Sequence, residues 1–200
     1  MKRTIPLQEH PEFSIVDGYG WREFRVEAPG GRRRAASRLP SIGGLWLDAC
    51  VVSGVAYCWK AATSTTPGMA VLFMVLLLYV YTRSTQIQWE SVVIFPSIGI
   101  QLETHKGFAG ISLLASRKFV PWSSLEDFLI NEGLRGWDVR YYCVAINRTL
   151  QGSLQLEVAF ENILPRFPIL LEVYYGVQEA IQIETERRTE QSVCHISQTA

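Results

Sequence analysis

Apolar and polar positions alternate most cleanly in the second half of the chain. Leu154, Leu156, Val158 and Phe160 are interleaved with Gln155, Glu157, Ala159 and Glu161, the period of two that marks a half-buried strand. Val139, Tyr141, Cys143 and Ala145 alternate with Arg140, Tyr142, Val144 and Ile146, which predicts a second strand, wetter near its start. Upstream, Ser91–Phe95 is a short β-rich run broken by Pro96-Ser97. Ile98, Ile100, Leu102 and Thr104 then alternate with Gly99, Gln101 and Glu103. His105–Ser116 contains glycines and reads as a connection, although Phe108, Ile111, Leu113 and Leu114 make it apolar. Those four side chains have two readings, a contact with lipid or a partner, or an excursion of the core. Lys118–Trp122 is extended, Ser123 or Ser124 caps a turn around Leu125–Phe128, and Leu129–Asn131 leads onward, which puts Asn131 and Glu132 in a loop context.

The period changes after Phe160. Asn162–Pro165 reads as a turn, and Pro168 suits the first turn of a helix, where a missing N–H costs nothing. Phe167, Leu170, Leu171, Tyr174, Val177 and Ile181 recur mostly at spacings of three and four, giving one apolar face. Gly176 inside that helix costs about 1 kcal/mol relative to Ala. Strands followed by one helix predict an α+β fold. The expected form is a small antiparallel sheet, a pleckstrin-homology-like roll over 86–183, covered by a C-terminal amphipathic helix. Residues 184–200 are polar and are expected to be disordered.

Two apolar stretches precede the sheet. Ile42–Trp59 carries one charge, Asp48, and Met69–Tyr81 carries none, with a polar turn ending in Pro67-Gly68 between them. As helices they would extend about 27 Å and about 20 Å, against a hydrocarbon core of about 30 Å. Together they predict a membrane helical hairpin over 41–82, with Trp46, Trp59, Tyr79 and Tyr81 near its ends. Both outer flanks are basic, Arg32 to Arg38 before and Arg83 after, so both termini are expected on the cytoplasmic side. Asp48 marks either a partner contact within the membrane or a side chain hydrated at its surface. Residues 1–40 read as a polar, basic arm in which Ile15, Val16 and Trp21 make a short strand or a docking segment.

Composition narrows the function by exclusion. The net charge is zero and no basic stripe is interleaved with aromatics, so nucleic acid is not an expected partner. Cys50, Cys58, Cys143 and Cys194 form no C-x-x-C pair and read as small apolar residues in a reducing compartment, without metal. His10, His105 and His195 fall in an arm, a loop and a tail, and no phosphate-binding glycine loop or nucleophile motif is present. Glu126 and Asp127 are adjacent and diverge, so they read as a solvated turn face. Arg166, held between Pro165 and Pro168, suits a fixed ion pair or a phosphate contact. Asn147-Arg148-Thr149 is a glycosylation sequon that the expected topology leaves unmodified. No cofactor and no activity of the chain alone are expected.

Several short motifs occur in a specific order: Glu90-Ser91, Gly99-Ile100-Gln101, Phe119-Val120, Asp127, Ile130-Asn131-Glu132, Tyr141-Tyr142, Phe160, Pro165-Arg166 and Leu171-Glu172-Val173-Tyr174. In that order they resemble the PIG-H family, over Glu90–Ile181. The His105–Ser116 segment looks longer and more apolar than the family usually has there. The resemblance implies a non-catalytic subunit of the complex that transfers N-acetylglucosamine from UDP-GlcNAc to phosphatidylinositol, the first step of glycosylphosphatidylinositol (GPI) anchor synthesis. It implies a place at the endoplasmic reticulum membrane, with a PIG-A-like glycosyltransferase subunit and multispanning subunits as partners. Asp48, Asn131, Glu132, Pro165, Arg166 and Tyr174 are the candidate contact or motif residues. A free-standing, membrane-tethered lipid-binding adaptor is the alternative, and it would need a basic rim. A small membrane enzyme would need a converging acid–base pair.

Overall fold

The computed structural model describes residues 1–28, 49–57, 59, 66–108, 111–149 and 151–199. Alternating side chains and tight turns build two antiparallel sheets. The first has six strands in sequential order: β1 (Lys2–Thr4), β2 (Phe13–Gly18), β3 (Trp21–Glu27), β4 (Ile87–Phe95), β5 (Gly99–Phe108) and β6 (Ile111–Pro121). The second has three: β7 (Leu125–Arg135), β8 (Asp138–Arg148) and β9 (Leu154–Ala159). Helical turns occur at 49–57, α1 is Thr66–Ser84, and α2 is Phe167–Thr199. The chain divides into two compact units, one of Met1–Glu27, Trp89–Thr104 and Ser116–Ala200, the other of Ala28–Gln88 and His105–Ala115.

The first unit holds the core. The inward positions of the strands supply Phe13, Phe24, Val92, Ile100, Phe128 and Cys143, and α2 supplies Ile169, Leu170, Val173, Val177 and Ala180. At roughly 25 cal/mol per Å² of apolar surface, each such side chain stabilises the unit by about 1.5–3 kcal/mol. Trp122 closes the corner after β6. It is buried, and its indole N–H donates to the Phe95 carbonyl at 3.1 Å while its main-chain N–H donates to Ile98. The helix begins at Phe167, as Pro168 required, but its buried face is rotated from the expected one. Ile169 and Val173 are fully buried, whereas Leu171, Tyr174 and Ile181 are half-buried and Phe167 is exposed. Gly176 lies where an added Cβ would stand 2.2 Å from the Phe24 ring, so the helix meets the sheet there by having no side chain.

Several expectations are corrected. No helix among the described residues is long and apolar enough to cross a membrane, so the membrane hairpin over 41–82 is not supported. The unbroken apolar run inside α1, Met69–Tyr81, reaches only about 20 Å before Thr82 and Arg83 end it, short of the roughly 30 Å of a hydrocarbon core. The inference that both termini face the cytoplasm rested on that hairpin and loses its basis. Residues 41–48, Asp48 among them, lie outside the described residues. The single small sheet is two sheets, and the N-terminal residues read as an arm pair into the first of them: Phe24 of β3 faces Ile15 on one side and Val92 on the other. The polar residues after Glu184 continue α2, with Arg187 and Arg188 both paired to Glu184 one turn back. His105–Ser116 is no loop but belongs to the β5–β6 hairpin, on which Ile111, Leu113 and Leu114 are exposed and lie outside the core.

Candidate interface around the Glu90 carboxylate and the edge of β7

Glu90 lies on the core face of β4 and is only 2% exposed. A carboxylate so placed must be hydrogen-bonded to be tolerated. Its Oε1 accepts from Thr104 Oγ1 at 3.1 Å and from Asn162 Nδ2 at 2.6 Å, and its Oε2 accepts the main-chain N–H groups of Asn162 at 3.3 Å and Ile163 at 3.0 Å. The segment it holds turns sharply, with Phe160 at φ 59° and Leu164 at φ 47°, a left-handed conformation that side-chain-bearing residues rarely adopt. Buried Phe160 and the four bonds to Glu90 hold that turn in place. The turn delivers Pro165 and Arg166 to the start of α2, where the Arg166 carbonyl accepts the N–H groups of Ile169 and Leu170 at 3.0 and 3.3 Å. Pro165 is half-buried and Arg166 is exposed.

The remaining candidates separate into two places. Tyr174 is half-buried against the core, its ring 5.8 Å from that of Tyr175. Asn131 and Glu132 are exposed and lie not in a loop but within β7, opposite Tyr142 and Tyr141 of β8. Asn131 donates from Nδ2 to the Tyr142 hydroxyl at 3.3 Å, and its Oδ1 accepts the Glu132 N–H at 2.9 Å. Asp127 does the same earlier in the strand, its Oδ1 accepting the Phe128 N–H at 2.7 Å. Thus Asp127 and Asn131, two members of the ordered motif, hold main-chain groups along one strand, while Glu90 and Phe160 hold the turn before α2. The structure does not bring Asn131 and Glu132 together with Pro165 and Arg166 through any hydrogen bond or ion pair it describes.

Sequence reasoning missed Glu90 as a structural centre. A lone glutamate at an inward position of an apolar strand, between Trp89 and Ser91-Val92-Val93, is the signal that marks it. Charge elsewhere is paired. Arg117 meets Glu103 at 3.1 Å, Lys118 meets Glu157 at 2.7 Å, and Arg140 meets Asp138 at 2.7 Å. The hydrogen bond from Glu157 holds the Lys118 ammonium protonated above its ordinary range. Burial pushes the Cys143 thiol up to about 12, which leaves it an unreactive apolar group. Asn147 of the sequon sits half-buried inside β8, paired with Leu125 on one side and Gln155 on the other. Among the described residues no three His, Cys, Asp or Glu side chains cluster to hold a metal ion.

Residues 91–161 match the family model described as the PIG-H component of the GPI-GlcNAc transferase complex. Over 148 residues the chain is 26% identical to phosphatidylinositol N-acetylglucosaminyltransferase subunit gpi15 of Schizosaccharomyces pombe, covering 73% of this chain and 89% of that protein. It is 30% identical over 116 residues to the PIG-H-type component of the same enzyme from Homo sapiens and from Bos taurus, covering 56% of this chain and 60% of each of those proteins. No solved structure matches.

Proposed function

The chain belongs to the PIG-H family, and from that membership we propose that it serves as a non-catalytic subunit of the complex that transfers N-acetylglucosamine from UDP-GlcNAc to phosphatidylinositol at the start of GPI-anchor synthesis. On this reading it works at the endoplasmic reticulum and assembles with the glycosyltransferase subunit and with multispanning subunits of the same complex. The observation that carries the non-catalytic role is the state of Glu90. A carboxylate offers about four acceptor positions, and all four contacts that Glu90 makes are with groups of the chain itself. It shapes the domain and has nothing left to offer a substrate.

The adaptor reading is weaker. A lipid-binding module needs free cations on one rim, and Arg117, Lys118 and Arg140 are each engaged by a carboxylate. Purification of the tagged full-length chain from detergent-solubilised membranes separates the two. The subunit reading expects the transferase subunit in stoichiometric amount, and recovery of the chain alone would favour the adaptor.

A further inference from the structure

Strand β7 is an edge of its sheet, and its register fixes which main-chain groups face outward. Arg135 and Asp138 pair across the two-residue turn of Gly136, at φ 65°, and Trp137. The odd positions of β7 from Leu129 to Arg135 therefore exchange main-chain hydrogen bonds with β8, and the even positions turn their N–H and C=O groups away from the sheet. Side chains already occupy three of these outward groups. The Phe128 N–H donates to Asp127, the Phe128 carbonyl accepts from Gln178 Nε2 at 2.9 Å, and the Glu132 N–H donates to Asn131. The outward groups of Ile130 and Leu134, and the Glu132 carbonyl, have no such partner among the described residues.

The surface beside this edge is apolar. Helix α2 covers the inner face of the ribbon as far as Phe167, whose ring meets that of Tyr141 at 5.0 Å. Beyond it, Val139 and Leu134, an opposed pair on that same face, are exposed, Leu134 by 83%. No proline, lysine or bulge blunts β7 between Ile130 and Leu134, where natural edges usually carry one.

We infer that the Ile130–Leu134 edge of β7 receives an extended segment of a partner protein as an added β-strand. The inference rests on the subunit reading above. Main-chain bonds to the even positions supply the attachment, and the alternating side chains of the incoming strand pack on Leu134 and Val139. Exposed Asn131 swings aside to release the Glu132 N–H. Charge selects the occupant. A second copy pairing antiparallel over this short stretch is centred on Glu132 and sets two carboxylates side by side, an unfavourable cross-strand pair. The partner strand therefore carries a basic or uncharged residue opposite Glu132, between apolar neighbours.

Hydrogen–deuterium exchange on the full-length chain, alone and in the detergent-solubilised complex, tests this. Exchange at the amides of Ile130 and Leu134 is expected to slow by about tenfold or more on assembly, as joining a strand ladder requires. Glu132→Pro deletes an outward N–H while leaving the bonds to β8, and is expected to lower recovery of the transferase subunit about tenfold, while Glu132→Ala leaves it unchanged. Unchanged exchange, or equal recovery with both variants, overturns the inference. So does protection that appears in the chain alone and grows with its concentration, which would identify a second copy as the occupant. If Glu132→Pro loses its thermal transition, exchange in the wild-type complex decides by itself. Absence of the transferase subunit from the wild-type preparation sinks the subunit reading and this one together, whereas its presence with an unprotected edge sinks this one alone.

Discussion

The Glu90 carboxylate accepts the main-chain N–H of Ile163 at 3.0 Å across 73 positions of sequence. That bond and its three neighbours join the middle of the first sheet to the turn that launches α2. Glu90→Ala would leave the N–H groups of Asn162 and Ile163 buried without acceptors and release a left-handed turn, at a cost of about 3 kcal/mol. Glu90→Gln keeps one acceptor oxygen and should cost about half as much. Urea unfolding of the two variants checks the order; equal midpoints for wild type and Glu90→Ala would remove Glu90 from the account.

Gly176 and Phe24 form a contact that reverses the usual helix rule. Gly176→Ala raises intrinsic helix propensity by about 1 kcal/mol, yet the new methyl meets the ring of Phe24, which is 2% exposed and has no room to swing away. Overpacking of this kind costs about 1–3 kcal/mol, so net destabilisation is expected. Adding Phe24→Leu should make the two changes cost less together than the sum of each alone, and a thermal-melt double-mutant cycle measures that coupling. Strict additivity would show that the contact does not limit the site.

Much of this fold is legible in the sequence where one face is buried and the other wet. The strands β8 and β9, the break at Pro96 and the start of α2 at Phe167 all follow from simple period and proline chemistry. Strand β7 is not legible, because Asn131-Glu132-Gly133 looks like a turn until Asn131 is seen bonding to its own strand's main chain. The strands β2 and β3 are obscured because both of their faces are covered in part: Phe13 and Phe24 on one, buried Ser14 and Glu23 on the other. Charged residues on a buried face defeat an alternation argument. The expected membrane hairpin comes from reading apolar composition without helix length, and the described helices do not meet that length. Of the candidate site, the ordered motif finds Asn131, Pro165 and Arg166, but gives no hint that Glu90 anchors the last two.

Cys143 should be inert and pH-revealing. The folded thiol keeps its proton to about 12, against an ordinary 9.0, because burial disfavours the thiolate. Between those values the folded state binds more protons than the unfolded one, so stability falls as pH rises through that window. Lys118, held protonated by Glu157, adds a loss of the same sign above its usual 10.5. Cys143→Ala should flatten the lower part of this decline, measured by urea midpoints across alkaline pH. Site-resolved maleimide labelling should modify exposed Cys50 in the native chain and Cys143 only in denaturant; native labelling of Cys143 would contradict its burial.

Arg166 is the motif residue whose role is least structural. Its side chain is exposed, so Arg166→Ala should cost under about 1 kcal/mol of stability. A larger loss in urea would mean that the guanidinium holds the turn. With stability intact, any fall in recovery of the transferase subunit would report a contact made by Arg166 itself.

The central claim is that this chain is needed for the transfer but does not perform it. The direct measurement is incorporation of labelled N-acetylglucosamine from UDP-GlcNAc into phosphatidylinositol by membranes with the chain present, deleted or restored, beside the purified chain alone. The account predicts activity only in the first and third membrane preparations and none from the purified chain. Undiminished activity after deletion, or transfer by the purified chain on its own, would contradict it.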